Sequence, residues 1–407
     1  MVATIINGNA IDVLKSMQEN SIDAVVSDPP YQLTGTSGGL HLGSYGKFQR
    51  LSRGFMGKEW DILPSTDTLK ECLKVLKPGA FALWLMTPRQ DSQLEFLLRL
   101  REAGFVISFT PLYWVYASGF PKAENISKAI NKKKLEYNTE ALKGAYAGFQ
   151  PKPAVEVIIV TMKPLSEKTY ISQAMKNGKG VTWLDNARIP IINEKVIIHG
   201  SPLDSMFAGG EQDRLSFKNY RSNLAGRFPA NLLASDNILD ASKNESDGND
   251  LSRYFSLDAW WEGEIKELPE FQQKTFPFLY VPKASRNEKN KGLVGVLPEK
   301  PIDFDSQTRT NKETADKFGA ERKAKMQNHH PTVKPIKLIS YLVTLVTKEN
   351  DTVLDPFMGS GTTLVASALL NRNAIGIEID KEYASIAKNR LNFYNKNNKI
   401  SVLDNFT

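Results

Sequence analysis

The chain is poor in the residue types that build staples, metal cages and membrane anchors. It holds one cysteine, Cys72, in 407 residues. A disulfide framework is therefore excluded, and a cysteine-built metal site nearly so. No run of about 18 apolar residues occurs, so no membrane span is expected. The opening stretch, MVATIINGNA, has neither a basic nor an apolar leader region, and no signal peptide is expected. A reducing cytoplasm fits these absences. His329 and His330 are adjacent rather than at helical ligand spacing, so no metal is expected there. No internal repeat and no nuclease or helicase motif is present. Excess charge is modest, at +7 with a pI of about 9.1. That permits nucleic-acid binding without demanding it. What remains is ordinary globular composition, 41% hydrophobic and 24% charged, on a chain long enough for a sizeable core.

Strand and helix patterns alternate over the first 165 residues. TIING, IDAVVSD, AFALWLM, FVISFTPLYWVY and AVEVIIVTM read as strands, mostly continuous apolar runs of the kind buried in parallel sheets. AIDVLKSMQ, STDTLKECLKVLKPG and SQLEFLLRLREAG read as helices, the second with a serine or aspartate cap and a Pro-Gly stop, the third closing on Gly104. Residues 32–60 are glycine-rich and aperiodic, a long loop of the sort that is either functional or disordered. From about 166 to 325 charges, asparagines and serines dominate, with Trp183, Trp260 and Trp261 scattered among them. The alternation returns after that. TVKPIKLISYLVTLVT predicts a helix with Ile336, Ile339, Leu342 and Val346 on one face. DTVLDPF, GSGTTLVASALL, AIGIEID and EYASIAKNRLNFY then predict strand, turn and helix, strand, and helix. The expectation is an α/β sheet split by an insertion, with segments 1–165, 166–325 and 326–407.

In DTVLDPFMGSGTTLVASALL a strand meets a tight glycine turn and then a helix. Glycines admit close backbone approach, and a helix N-terminus offers unpaired N–H groups and a positive dipole end. An ATP-type phosphate loop would place lysine after the second glycine, where this chain has Thr362. A dinucleotide fingerprint would place glycine or alanine where it has Leu364. A purely structural turn remains open at this point. Glu378 ends the following strand, where an acid can bond ribose hydroxyls. Asp355 ends the strand before the turn, where a carboxylate suits a cationic or amine-bearing ligand better than a pyrophosphate.

The other short signal is SDPPY. An apolar strand ends on Asp28, Pro29 and Pro30 stiffen the backbone, and Tyr31 follows. Asp and Pro also favour plain turns. With DPFMGSG on a matching strand end, however, the pair resembles the S-adenosylmethionine-dependent DNA amino-methyltransferases. The motif order, DPPY first and the cofactor turn last, is similar to the permuted beta group of that family. NHHPTVKPIKLI resembles the segment that leads into its cofactor-side helix. GFPKAENISKAI, which contains Lys122, and GRFPANLL resemble segments of phage and prophage members.

The resemblance implies a Rossmann-like methyltransferase fold: a mostly parallel, doubly wound, circularly permuted sheet with an inserted target-recognition region. It implies S-adenosyl-L-methionine as cofactor and double-stranded DNA as partner, for a cytoplasmic monomer or homodimer, bacterial or phage-encoded. Asp28, Pro29, Pro30 and Tyr31 would then be catalytic. The carboxylate and an aimed main-chain carbonyl would accept from an exocyclic base amine, and the tyrosine would stack on a base flipped out of the duplex. Cofactor contacts would come from Asn9, Asp28, His330, Thr332, Lys334, Asp355, Phe357, Gly359, Ser360, Gly361, Thr362, Glu378 and Asp380. Asn9 departs from the family, which often has aspartate there. Lys122, Arg188, Arg221, Arg227, Lys283 and Arg286 could reach DNA, although a solvated surface charge is the plainer reading of most of them. An aspartate heading the motif points to adenine N6 rather than cytosine N4 as the methylated atom. Methylation of a cytosine ring carbon would need a cysteine nucleophile, and Cys72 lies on the core side of its helix. An RNA or protein methyltransferase is a rival reading. A binding module without catalysis fits poorly with intact Asp28, Tyr31, Gly359 and Gly361.

Overall fold

The computed structural model describes residues 1–31, 62–116, 125–147, 154–189, 226–234, 260–261, 286–293, 300–301, 325–326, 328, 330, 332–394 and 401–406. The glycine-rich segment expected to form a long loop lies outside them. In chain order the elements are β1 (Val2–Asn7), α1 (Ala10–Ser16), β2 (Ala24–Ser27), α2 (Thr66–Val75), β3 (Phe81–Met86), α3 (Gln90–Ala103), β4 (Leu112–Val115) and α4 (Ile126–Lys132). Then come β5 (Val155–Met162), α5 (Tyr170–Asn177), β6 (Leu232–Ala234), α6 (Arg286–Asn290), β7 (Lys300–Pro301) and β8 (Lys325–Met326). The last are α7 (Ile336–Val346), β9 (Thr352–Asp355), α8 (Thr362–Leu369), β10 (Asn373–Glu378), α9 (Lys381–Tyr394) and β11 (Ser401–Phe406).

Local chemistry sets the helix ends. Ser65 Oγ accepts from the Thr68 N–H at 3.1 Å to start α2, the bond expected of an N-cap serine. Gly104 ends α3 in the left-handed region, at φ +101°. Every residue of β3 is buried, as suits a strand covered on both faces.

One nine-stranded sheet runs in the order β11-β1-β10-β9-β2-β3-β5-β4-β6. All neighbours are parallel except the two pairs that β5 makes. The two ends of the chain interleave: β1 lies between β11 and β10, and β9 lies beside β2. The C-terminal ends of β1, β10, β9 and β2 therefore share one edge. That is where open α/β sheets bind ligands. Because β5 runs the other way, its start reaches this edge, with Val157 opposite Met86, the last residue of β3.

Several features depart from the sequence reading: FVISFTPLYWVY holds a strand only at Leu112–Val115, and α4 and α5 were not expected. The apolar stripe on α7 is wider than one face, since every residue of that helix is buried. The strand β11 adds to the sheet outside β1. The middle of the chain, which shows no steady pattern, contributes β6 to the sheet and Trp260 and Trp261 to the core. Trp260 meets the Tyr341 ring edge-on at 4.9 Å and donates from Nε1 to the Asn186 carbonyl at 3.3 Å. Cys72 is buried in the core, as its helical position implied. Among the described residues no helix is long and apolar enough to cross a membrane. No cluster of His, Cys, Asp and Glu among them could hold a metal.

Candidate active site

A cavity of about 250 Å³ opens on the shared edge. Its floor is the end of β2 running into Asp28-Pro-Pro-Tyr31, beside the end of β9 running into the glycine turn. Asn9, His330, Thr332, Lys334, Phe357, Ser360, Thr362 and Glu378 line it too. Two motifs some 330 residues apart in the chain meet because β2 and β9 pair, Ala24 with Val353 and Val25 with Leu354. Buried Ser27 Oγ donates to Asp355 Oδ1 at 2.6 Å and ties the two strand ends together.

The catalytic half of the cavity is a network around Asp28. The Tyr31 hydroxyl donates to Asp28 Oδ1, and Lys334 Nζ donates to Asp28 Oδ2. Lys334 also lies 3.2 Å from the Tyr31 hydroxyl and 3.6 Å from Glu156 Oε2. Burial pushes the Asp28 carboxyl up, the Lys334 charge pulls it down, and the Glu156 charge pushes it up again. Burial and the two carboxylates likewise hold the Tyr31 hydroxyl well above its ordinary value. Lys334 is pushed down by burial, but Asp28 and Glu156 outweigh that and keep it protonated.

The cofactor half is built on the turn after β9. Gly359 and Gly361 both adopt positive φ, +53° and +78°, which glycine reaches without steric cost. Glu378 Oε2 accepts from the Gly359 N–H and Oε1 from the Asp380 N–H, each at 2.8 Å. Glu378 thus braces the turn. Burial raises its carboxyl to about 7 against those two bonds. Burial also raises Asp355 to about 6, with the Ser27, Thr363 and Phe357 donors opposing. A Cβ on Gly359 would come 2.6 Å from His330 Nε2. The His330 ring packs edge-on against Tyr383 at 4.5 Å.

Several expected residues lie elsewhere or do other work. Gly361 does not line the cavity; a Cβ there would meet Ala387 Cβ of α9 at 2.7 Å. Asp380 is not among the residues lining the cavity and caps α9, accepting from the Glu382 N–H at 2.9 Å. Asn9 lines the cavity and caps α1, accepting from the Ile11 N–H at 3.2 Å. Arg188 is buried: Nε donates to Asp185 at 2.7 Å, Nη1 donates to the Gly226 carbonyl at 2.9 Å, and Phe228 lies under its guanidinium. It is held within the protein and not presented to DNA. Arg227 lies on a backbone bridge with Ile189, and Arg286 begins α6. Lys122, Arg221 and Lys283 lie outside the described residues.

Two charged groups at the site were not read from the sequence. Glu156 was signalled only as an acid opening an apolar strand, AVEVIIVTM. Arg390 is fully buried under the glycine turn, donating to the Ser360 carbonyl at 2.6 Å and to Thr362 Oγ1 at 3.2 Å. Nothing in its helical spacing marks it.

A cavity with an acid-braced glycine turn at a helix start, beside Asp-Pro-Pro-Tyr on the adjoining strand, defines a class: enzymes that hold a cationic nucleoside-type donor against an amine. A profile of the family described as DNA methylase, of N6 and N4 type, matches residues 22–389. The chain belongs to that family of S-adenosylmethionine-dependent DNA amino-methyltransferases. Type II methyltransferase M2.LlaDCHI of Lactococcus lactis subsp. cremoris is 49% identical over 72 residues, 18% of this chain and 27% of that protein. Type II methyltransferase M.HindIII of Haemophilus influenzae is 48% identical over 79 residues, 18% of this chain and 26% of that protein. These alignments span about a quarter of the relatives' length. The PvuII DNA methyltransferase, described as cytosine-N4-specific, aligns over 99% of this chain and 95% of its own at 16% identity, with a TM-score of 0.44.

The family's cofactor is S-adenosyl-L-methionine. The residues present fit it. Asp355 faces the cavity with no cation paired to its carboxylate among the described residues, and a ligand carrying a sulfonium and an amine offsets its negative charge. Pro356, Phe357 and Ile379 supply apolar wall for a nucleobase.

Proposed function

We propose that this chain transfers a methyl group to the N6 amino group of an adenine flipped out of duplex DNA. The observation that carries the reading is the placement of the Asp28-Pro-Pro-Tyr31 turn and the glycine turn on adjoining strand ends around one cavity. S-adenosyl-L-methionine supplies an electrophilic methyl carbon when bound, held by Asn9, Asp355, Phe357, Ser360, Thr362 and the turn that Glu378 braces. An exocyclic base amine is a poor nucleophile because its lone pair is delocalised into the ring. Asp28 and a main-chain carbonyl of the proline pair accept its hydrogens and draw the nitrogen toward tetrahedral geometry. Tyr31 gives the base a stacking face, and the cavity walls exclude water and fix the line of attack.

Residues 166–325 form the target-recognition region in this reading. Residues 1–165 and 326–407 are the catalytic and cofactor-binding segments, and the cytoplasm is the site of action. The assignment to adenine follows the aspartate that heads the motif. Incubation with duplex DNA and cofactor, digestion to nucleosides and separation by mass tests it. N6-methyldeoxyadenosine is expected. N4-methyldeoxycytidine in its place would overturn the choice of base. Methyl transfer to tRNA or protein, with none to DNA, would overturn the substrate class.

A further inference from the structure

Both carboxylate oxygens of Asp28 already hold protein donors, the Tyr31 hydroxyl on Oδ1 and Lys334 Nζ on Oδ2. Each carboxylate oxygen keeps a second lone pair, so a base amine can approach, but a carboxylate paired with an ammonium is a weaker acceptor for the amine's proton than one that the ammonium has left. Tyr31 is itself packed in the core cluster. Lys334 has a second place to go. Glu156 Oε2 lies 3.6 Å from Nζ, just beyond hydrogen-bond length, and this buried oxygen has no other hydrogen-bond partner among the described residues. A buried carboxylate oxygen without a donor is costly, so a short swing of Nζ toward Glu156 costs little and satisfies it. Glu156 reaches the site because β5 alone runs antiparallel and begins at the ligand edge.

We infer that Glu156 is a positioning residue: Lys334 passes from Asp28 to Glu156 when the target amine enters, and this frees Asp28 Oδ2 to accept from the amine. The inference rests on the methyl-transfer reading above. In balance, the amine nitrogen gives its lone pair to the methyl carbon and the carbon–sulfur bonding pair stays on sulfur. The nitrogen's surplus proton goes to Asp28 Oδ2, and from there to solvent. The cluster of Asp28, Glu156 and Lys334 thus never needs a bare buried cation, which would be expensive. Among the described residues the ionisable groups facing Asp28 are Tyr31 on its own turn, Lys334 before α7, Glu156 on β5 and Asp355 after β9, with Tyr116 facing Glu156.

The test compares wild type, Glu156→Gln and Glu156→Asp in the full chain. Single-turnover methyl transfer to duplex DNA should fall at least tenfold in Glu156→Gln and recover in part in Glu156→Asp. Cofactor affinity by calorimetry should stay within about twofold, because Glu156 is not among the residues lining the cavity. The acid limb of the single-turnover pH profile should move to lower pH in Glu156→Gln, since Asp28 then loses a neighbouring negative charge and keeps its lysine. Infrared difference spectra of the protein alone should show the Asp28 carboxyl titrating lower in that variant. If Glu156→Gln does not fold, Lys334→Gln carries the spectroscopic arm, and there the Asp28 midpoint should rise. Full-rate transfer in Glu156→Gln, or a slower rate with the acid limb and the Asp28 midpoint both unmoved, would overturn the inference. Absence of transfer by wild type to DNA would instead overturn the parent reading, and the spectroscopic arm would still decide the coupling.

Discussion

Alanine at position 28 takes away the acceptor on which the proposed chemistry depends, and it leaves Lys334 with Glu156 as its carboxylate partner. Methyl transfer should fall by about a hundredfold or more, the usual loss for one preorganised group at a reacting centre. Cofactor affinity by calorimetry should change little, and near-normal turnover would defeat the assignment. The glycine at 361 behaves differently. Its missing side chain reads as room for a ligand, but its Cβ direction points at Ala387. Gly361→Ala should therefore lower stability by about 1–3 kcal/mol through left-handed strain, with the clash in addition. Pairing it with Ala387→Gly should restore only the part due to the clash. Equal midpoints in urea for the single and double variants would refute that account. The contrast marks what was legible. Asp28, the prolines and Tyr31 stand within four residues, so sequence shows them together. Lys334 was placed among the cofactor contacts by resemblance, and its ion pair with Asp28 depends on a fold-level meeting across some 300 residues. Glu156 needed knowledge that one strand runs backwards.

Among the elements, those with strong local signals were readable. The serine-capped α2 and the Gly104-terminated α3 fall where their caps put them. The buried strands β2, β3, β5, β9 and β10 fall on apolar runs. The helix α7 was legible as a helix but not as one enclosed on all sides, because part of its cover comes from the middle of the chain. Trp260, some 80 residues earlier, packs on Tyr341 of α7 and is 2% exposed. No periodicity could announce that contact. Truncating a buried tryptophan costs about 3–5 kcal/mol, so Trp260→Ala should lower the urea midpoint of the whole unfolding transition. A loss below about 1 kcal/mol would mean that this tryptophan is peripheral to the fold that carries the site.

At the scale of the whole molecule, the cavity leaves a signature in stability against pH. Asp355 is 3% exposed and titrates at about 6 instead of its ordinary 3.8, chiefly because burial penalises its charge. Glu378 titrates at about 7 instead of 4.5 for the same reason. Between the unfolded and folded values the folded protein binds more protons than the unfolded chain. Stability from these groups is therefore present below about pH 4 and lost as pH rises through 6 and 7. For Asp355 the full effect is about 3 kcal/mol, at roughly 1.4 kcal/mol for each unit. Asp23 and Asp91, held low by lysine or arginine and backbone donors against an opposing burial effect, act only at the acid end and with opposite sign. Melting temperatures of wild type and Asp355→Asn, measured from pH 4 to 8 without cofactor, should hence diverge, the wild type losing ground as pH rises. Saturating S-adenosylmethionine should narrow the gap at pH 7 to 8, because a cationic ligand stabilises the ionised carboxylate that burial disfavours. Parallel curves without cofactor would show that burial does not hold Asp355 protonated. A gap that cofactor leaves unchanged would remove Asp355 from the site that receives the donor's positive charge.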